Sequence, residues 1–243
     1  MQYADMRRVL ALAFLLLPSG AAASVFDEAG PGRGPGEVAV ERLARLGATV
    51  YCGGRHGRLV ALTFDDGPSR YSRAVAAELR HAHARGTFFL VGERLGYWRG
   101  ALRAEVGVGV LGDHTWTHAP LASLGTRALR EEIGRTRAAE FGRTGRRALL
   151  FRPPYGVRTR AADALVRRLG MLQVLWDVDD VATGIRPGSI VLLHDTWPDS
   201  VGLLRRILHE LRARNLRAVT VPELIANDPP RLVRNDQGLR SAC

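Results

Sequence analysis

Short apolar runs alternate with helical patterns along most of this chain, and that alternation constrains the fold more than any other feature. The runs fall at residues 59–64, 87–91, 108–111, 149–151, 174–176, 190–193 and 218–221. Between them, residues 72–85, 95–105, 126–141, 159–169 and 201–214 carry apolar side chains at helical spacing. Short, uniformly apolar runs suit strands buried on both faces, and their alternation with helices implies repeated β-α units around a parallel sheet. The expected class is therefore α/β, a distorted (β/α) barrel with about seven parallel strands. The barrel is expected over 58–226, after a leader and short helix at 24–57 and before an irregular tail at 227–243.

The start of the chain reads differently. Arg7 and Arg8 precede an apolar run over 9–17, then Pro18-Ser19-Gly20 and three alanines ending at Ala23. A basic start, a short apolar segment and an Ala-x-Ala end are the pattern of a secretory signal peptide over 1–23, so export to the cell envelope or medium is expected. In an oxidising compartment the chain's 2 cysteines, Cys52 and Cys243, suggest one disulfide, two free thiols being the alternative. No other stretch is long and apolar enough to span a bilayer. The formal charge is +11, and all 35 basic residues are arginine. Such a charge favours anionic partners or simply a soluble surface. For an exported protein, anionic cell-wall polymers are expected rather than nucleic acid.

Polar residues gather where the expected strands end. Asp65 and Asp66 follow the first, His114 and His118 the third, Arg152 the fourth, Asp177 to Asp180 the fifth, and His194 with Asp195 the sixth. In a parallel barrel those ends share one face, where distant residues converge on a site. Adjacent aspartates on an extended segment point opposite ways, so Asp66 can bind a metal while Asp65 stays free as a base. A surface turn at Asp-Asp-Gly-Pro is the plain alternative. His114 and His118 are four apart, which on a helical turn places both imidazoles over one cation. Two histidines and one carboxylate leave an open position on zinc, the arrangement of a catalytic site. After Arg152, Pro153 and Pro154 have no N–H, so Tyr155 supplies the first backbone donor of that turn. Arg152 suits a charge-assisted hold on a carboxylate, or else simply stiffens a loop. His194 reads as a general acid or as a neutral core histidine.

Together these segments resemble the polysaccharide deacetylase family, also known as the NodB homology domain or carbohydrate esterase family four. The similarity runs from about Arg58 to Leu224 and rests on residues 63–68, 114–118, 152–156 and 192–195, which occur in the family's order. It implies hydrolysis of acetyl groups from N-acetylglucosamine-containing polysaccharides such as peptidoglycan or chitin oligomers, with zinc or another divalent metal. By position, Asp65 would be the general base and Asp66, His114 and His118 the metal ligands. Arg152 would orient Asp65, His194 would be the general acid, and the Tyr155 N–H would meet the oxyanion. Pro154 and Leu193 would line the substrate side, Leu193 as a wall of the acetyl pocket.

One family motif departs. Its Asp-x-x-Asp-Trp pattern, taken from Asp179, ends here in Ala182-Thr183, and the helix before the next strand is missing from the pattern. An aspartate that would tune His194 is thus replaced, with Asp179 or Asp180 as candidate substitutes, and an uncovered apolar strand face is expected. An O-acetyl esterase of xylan type would use the same residues. A catalytically silent glycan-binding module on the same fold is the reading from another class.

Overall fold

The computed structural model describes residues 34–179 and 183–243. The expected signal peptide, the first ten residues of the expected leader, Asp180 and Ala182 lie outside them. Strands β1 (Thr49–Val50), β2 (Leu59–Gly67), β3 (Gly86–Leu90), β4 (Gly109–Asp113), β5 (Leu150–Phe151), β6 (Leu172–Val174), β7 (Val178–Asp179), β8 (Ile190–His194), β9 (Arg217–Val219), β10 (Leu232–Asn235) and β11 (Gly238–Ser241) join one sheet. Its order is β10-β11-β1-β6-β5-β4-β3-β2-β8-β7, with β9 also paired to β2. Every pairing between these strands is parallel except the β10–β11 hairpin, and an isolated antiparallel bridge joins Cys52 to Ser189. The sheet does not close by strand pairing. Residues 175–177 lead directly from β6 to β7 at the far end of the sheet, where the Asp177 N–H donates to the Ile190 carbonyl of β8, giving a barrel-like form.

Side chains alternate across this sheet and sort the core into layers. From β2, Val60, Leu62 and Phe64 face outward under helices α2 (Ser72–His81), α3 (Arg99–Val106) and α6 (Ser200–Ala213). Ala61 faces inward with Phe89, Leu150, Leu172, Val174 and Ile190. The inner cluster also takes in Val40 and Leu43 of α1 (Pro35–Leu46) and Val221 and Leu224 of α7 (Val221–Asn227). The Val221 N–H donates to Thr87 Oγ1 early in β3, so α7 caps the end of the interior where the strands begin. Helices α4 (Thr126–Thr144) and α5 (Arg160–Arg168) pack a third cluster around Phe151. A capping box between Thr220 and Glu223, followed by Pro222, starts α7 immediately after β9. That is why the run at 218–221 divides between strand and helix.

The tail is not irregular. Its hairpin adds β11 beside β1, with Thr49 in register with Arg240, and a disulfide joins Cys52 to Cys243 at a Cα separation of 5.9 Å. The strand expected at 174–176 lies at Leu172–Val174 instead, where it pairs with β1, and its ladder ends on the bond from the Leu175 N–H to the Val50 carbonyl. No helix occurs among described residues 183–189, matching the shortened segment. The uncovered face does not follow. Ile185 is 2% exposed and joins Val178, Val191 and Leu193 in the outer core, all of them buried. No helix of the described residues is long and apolar enough to cross a membrane.

Glu105 of α3 and Asp195, one residue past β8, are both 0% exposed neighbours, and none of their four carboxylate oxygens makes a hydrogen bond among the described residues. Desolvation and the repulsion between two neighbouring buried carboxylates both favour keeping a proton on the pair. Burial pushes Glu105 well above the ordinary carboxylate range and Asp195 up to about 6. The folded state therefore holds protons that the unfolded chain releases, and stability falls as pH rises above the ordinary carboxylate range. Glu105→Gln keeps the shape of the side chain and removes the titrating group. Its melting temperature should fall less than the wild type's between about pH 5 and about pH 8, where linkage predicts the difference. Parallel melting curves across that span would show that the pair does not hold the proton.

Candidate active site

The parallel strands place Asp65, Asp66, His114, Arg152 and His194 on one face, each at or just past a strand's carboxyl end. Asp65 and His194 are register partners across β2 and β8. The pairing of β2 with β3 shifts between Asp65 and Gly67, and Asp66 has φ 70°. This left-handed residue undoes simple alternation, which is why the expected opposite facing of the two aspartates fails. Asp65 Oδ2 and Asp66 Oδ1 both lie 3.6 Å from His114 Nε2, and Asp66 Oδ1 lies 3.2 Å from His118 Nε2.

The 114–118 segment is a loop rather than the expected helical turn, with Thr115 at φ 69° and His118 at φ 62°. Two carboxylates shape it. Asp113 Oδ1 accepts from Thr115 N at 2.8 Å, while Glu132 Oε2 of α4 accepts from Trp116 N at 2.9 Å and Thr117 N at 2.8 Å. Sequence spacing found the histidines but not these two supports, Asp113 directly before His114 and Glu132 sixteen residues beyond Trp116 on another element. Arg94 adds a hold on the turn by donating to the Asp66 carbonyl at 2.5 Å.

Arg152 is completely buried. One Nη1 donates to Asp65 Oδ1 and to Thr63 Oγ1, each at 2.8 Å, and Nε and Nη2 donate to the Val174 and Leu175 carbonyls at 3.2 and 3.0 Å. Its guanidinium lies over the Phe89 ring, 4.2 Å from the centroid. Such a fixed fork can hold one oxygen of Asp65 and leave the other directed at the histidines. Burial pushes Asp65 up to about 6, against the opposing pull of Arg152.

His114 Nδ1–H donates to the Arg152 carbonyl at 2.7 Å, which leaves the Nε2 lone pair facing the carboxylates. Burial also lowers its pKa to about 3, so this imidazole is neutral. Asp66, His114 and His118 each offer one ligand atom within 4.8 Å of the others. Asp66 Oδ1 is buried and makes no hydrogen bond among the described residues. Electron-rich atoms facing one another this way fit a divalent cation between them, and the donor set of two nitrogens and one oxygen suits zinc.

Tyr155 sits at φ 60° and is 63% exposed, its ring edge-on to His118 at 4.6 Å, so its backbone borders the site. Pro154 is buried beneath it. Leu193 is elsewhere. It is the register partner of outward-facing Phe64 and belongs to the helix-covered core. Leu192, partner of Thr63, is on the side of Asp65 and His194, because adjacent strand residues face opposite ways. Asp177 binds Ile190 N at 2.8 Å and Arg186 at 3.1 Å, tying the chain to β8. Asp179 pairs in register with Leu192 at the end of β7.

A family model described as polysaccharide deacetylase matches residues 53–174, half of the chain, and spans this constellation through Arg152 and Tyr155. The chain belongs to the polysaccharide deacetylase family. A peptidoglycan-N-acetylglucosamine deacetylase of Bacillus cereus is 31% identical over 189 residues, covering 69% of this chain and 88% of that protein. The PgdA peptidoglycan-N-acetylglucosamine deacetylase of Listeria monocytogenes is 30% identical over 181 residues, covering 68% of this chain but only 38% of its own length. This deacetylase-family chain therefore matches less than half of the Listeria protein. Among solved structures, a family 4 carbohydrate esterase from Streptomyces lividans in complex with acetate superposes with TM-score 0.64 at 29% identity. That match covers 71% of this chain and 95% of the esterase.

Proposed function

We propose that this protein hydrolyses the N-acetyl groups of N-acetylglucosamine-containing polysaccharides, with peptidoglycan glycan strands as the favoured substrate, in a metal-dependent reaction. The observation that carries this reading is the pairing of two carboxylates with different attachments. Asp66 faces two imidazoles, and Asp65 is anchored through one oxygen to Arg152. A divalent ion, zinc by donor chemistry, would be held by Asp66, His114 and His118, where it would act as a Lewis acid toward water and the acetyl carbonyl.

The chain's own residues supply the rest. With Oδ1 taken by Arg152, Asp65 Oδ2 is the oxygen that removes a proton from water as its oxygen adds to the acetyl carbon. The Tyr155 N–H borders the site as a donor for the carbonyl oxygen as negative charge grows there. His194, beside Asp65 across the sheet, donates a proton to the departing amine, which leaves acetate and a free glucosamine amine. Leu192 is the apolar side chain on this face and would contact the acetyl methyl.

The relatives named as peptidoglycan deacetylases support the polymer class. The Cys52–Cys243 disulfide supports an oxidising location, in line with the expected export to the envelope or medium. The test measures acetate released from N-acetylglucosamine oligomers, peptidoglycan and acetylated xylan. Release from the amide substrates should vanish on chelation and return with added zinc. Release from acetylated xylan alone would assign an O-acetyl esterase, and metal binding with no release from any of them would leave a glycan-binding module.

A further inference from the structure

Trp197 stands out among the aromatic residues near the site. It is 52% exposed, although its ring is packed nearly parallel against His194, with centroids 4.6 Å apart and planes at 13°. One indole face is thus occupied by the imidazole, and exposure falls on the remainder. The mount is rigid. Ser200 Oγ, buried at the start of α6, donates to the His194 carbonyl at 2.6 Å and accepts from Trp197 N at 3.2 Å. Tyr155 is also exposed and meets His118, but edge-on rather than face to face, and the remaining rings differ further. Trp116 is capped by the Arg135 guanidinium at 4.1 Å, and Trp176 lies beside buried Arg152. Tyr97 and Trp98 are exposed but make no ring contact with a site residue.

A large apolar ring kept half in water, and held against the side chain that faces the leaving group, is suited to receive a flat apolar partner. The C–H face of a pyranose is such a partner. We propose that Trp197 is a sugar-stacking, specificity-determining residue that receives a pyranose of the glycan next to the residue losing its acetyl group. This rests on the deacetylase reading, and extends it by making the enzyme read a sugar ring as well as an acetyl group. Acetylated molecules without a ring at that position gain nothing from Trp197.

The test compares Trp197→Ala and Trp197→Phe on an N-acetylglucosamine tetramer and on 4-nitrophenyl acetate, an acetyl ester with no sugar. Trp197→Ala should raise KM for the tetramer about tenfold more than for the ester, the scale of one lost stacking contact, and Trp197→Phe should recover most of it. Equal losses on both substrates would mean that the indole only steadies His194, and no loss on either would equally overturn the proposal. If the wild type turns over neither substrate, the deacetylase reading fails by itself. The tetramer is then titrated into wild-type and Trp197→Ala protein by calorimetry. Roughly tenfold weaker binding by the variant upholds the platform, and equal affinity overturns it.

Discussion

Replacing Asp65 with asparagine should lower kcat for acetate release by about a thousandfold or more, within the range contributed by a positioned general base. Metal content should not change. The ligand atoms belong to Asp66, His114 and His118, and Asp65 is attached instead to Arg152 and sits across the sheet from His194. Asparagine is isosteric and keeps an oxygen for the Arg152 Nη1–H, so the fold should survive. What it loses is an oxygen able to take a proton. His114→Ala supplies the contrast, because it should abolish both metal binding and turnover. The two variants are separated by measuring bound zinc alongside acetate. Asp65→Asn protein that binds zinc normally and retains more than a tenth of the wild-type kcat would remove Asp65 from its role. The pH profile is a second readout. Desolvation holds Asp65 up at about 6 despite Arg152, and a base works only when ionised. Activity should therefore rise with pH along an acid limb, and a cation beside the carboxylate moves that limb below 6 rather than above it.

Breaking the disulfide is the largest stability change expected. Cys52 and Cys243 are 191 residues apart, so the link closes nearly the whole described chain into one loop. Loop-closure entropy for that length corresponds to about 5 kcal/mol, which for a domain of this size lowers the melting temperature by roughly 10–20 °C. The locus is specific. Cys52 is buried at 2% exposure, and Ser241 Oγ, two residues before Cys243, accepts from Tyr51 N at 2.8 Å. With Cys243→Ser, or after reduction, β11 should leave β1 first, and its amides should lose hydrogen-exchange protection before those of β2. Melting curves with and without reductant measure the effect. A shift of less than about 3 °C would mean that strand pairing alone fixes the tail. Prompt labelling of both thiols in folded, unreduced protein would show no bridge at all.

The layered plan was legible because it follows from local periodicity. The runs at 59–64, 87–91 and 190–193 fall within or against β2, β3 and β8, and the helical stretches from 126 and 201 became α4 and α6. Elements of two to four residues carry no period to read. So β1, β7 and the β10–β11 hairpin were missed, since each exists by pairing with a distant partner rather than by its own pattern. Leu193 was misplaced for a related reason. Two neighbouring leucines in a strand look alike until the register with Thr63 and Phe64 says which one faces the site.

By itself the sequence determined the α/β class and the collection of aspartates, histidines and Arg152 at strand ends, because these depend on residue type and on spacing within single elements. Tertiary structure alone decided which atoms meet. The left-handed turn at Asp66 swings its carboxylate to the histidines, and Arg152, reaching across the interior, occupies one oxygen of Asp65. Asp113 and Glu132 fold the histidine loop, and Ser200 braces Trp197 against His194. The Arg152–Asp65 and Glu132–loop contacts join distant elements, and the local ones depend on backbone turns that residue pattern alone does not specify.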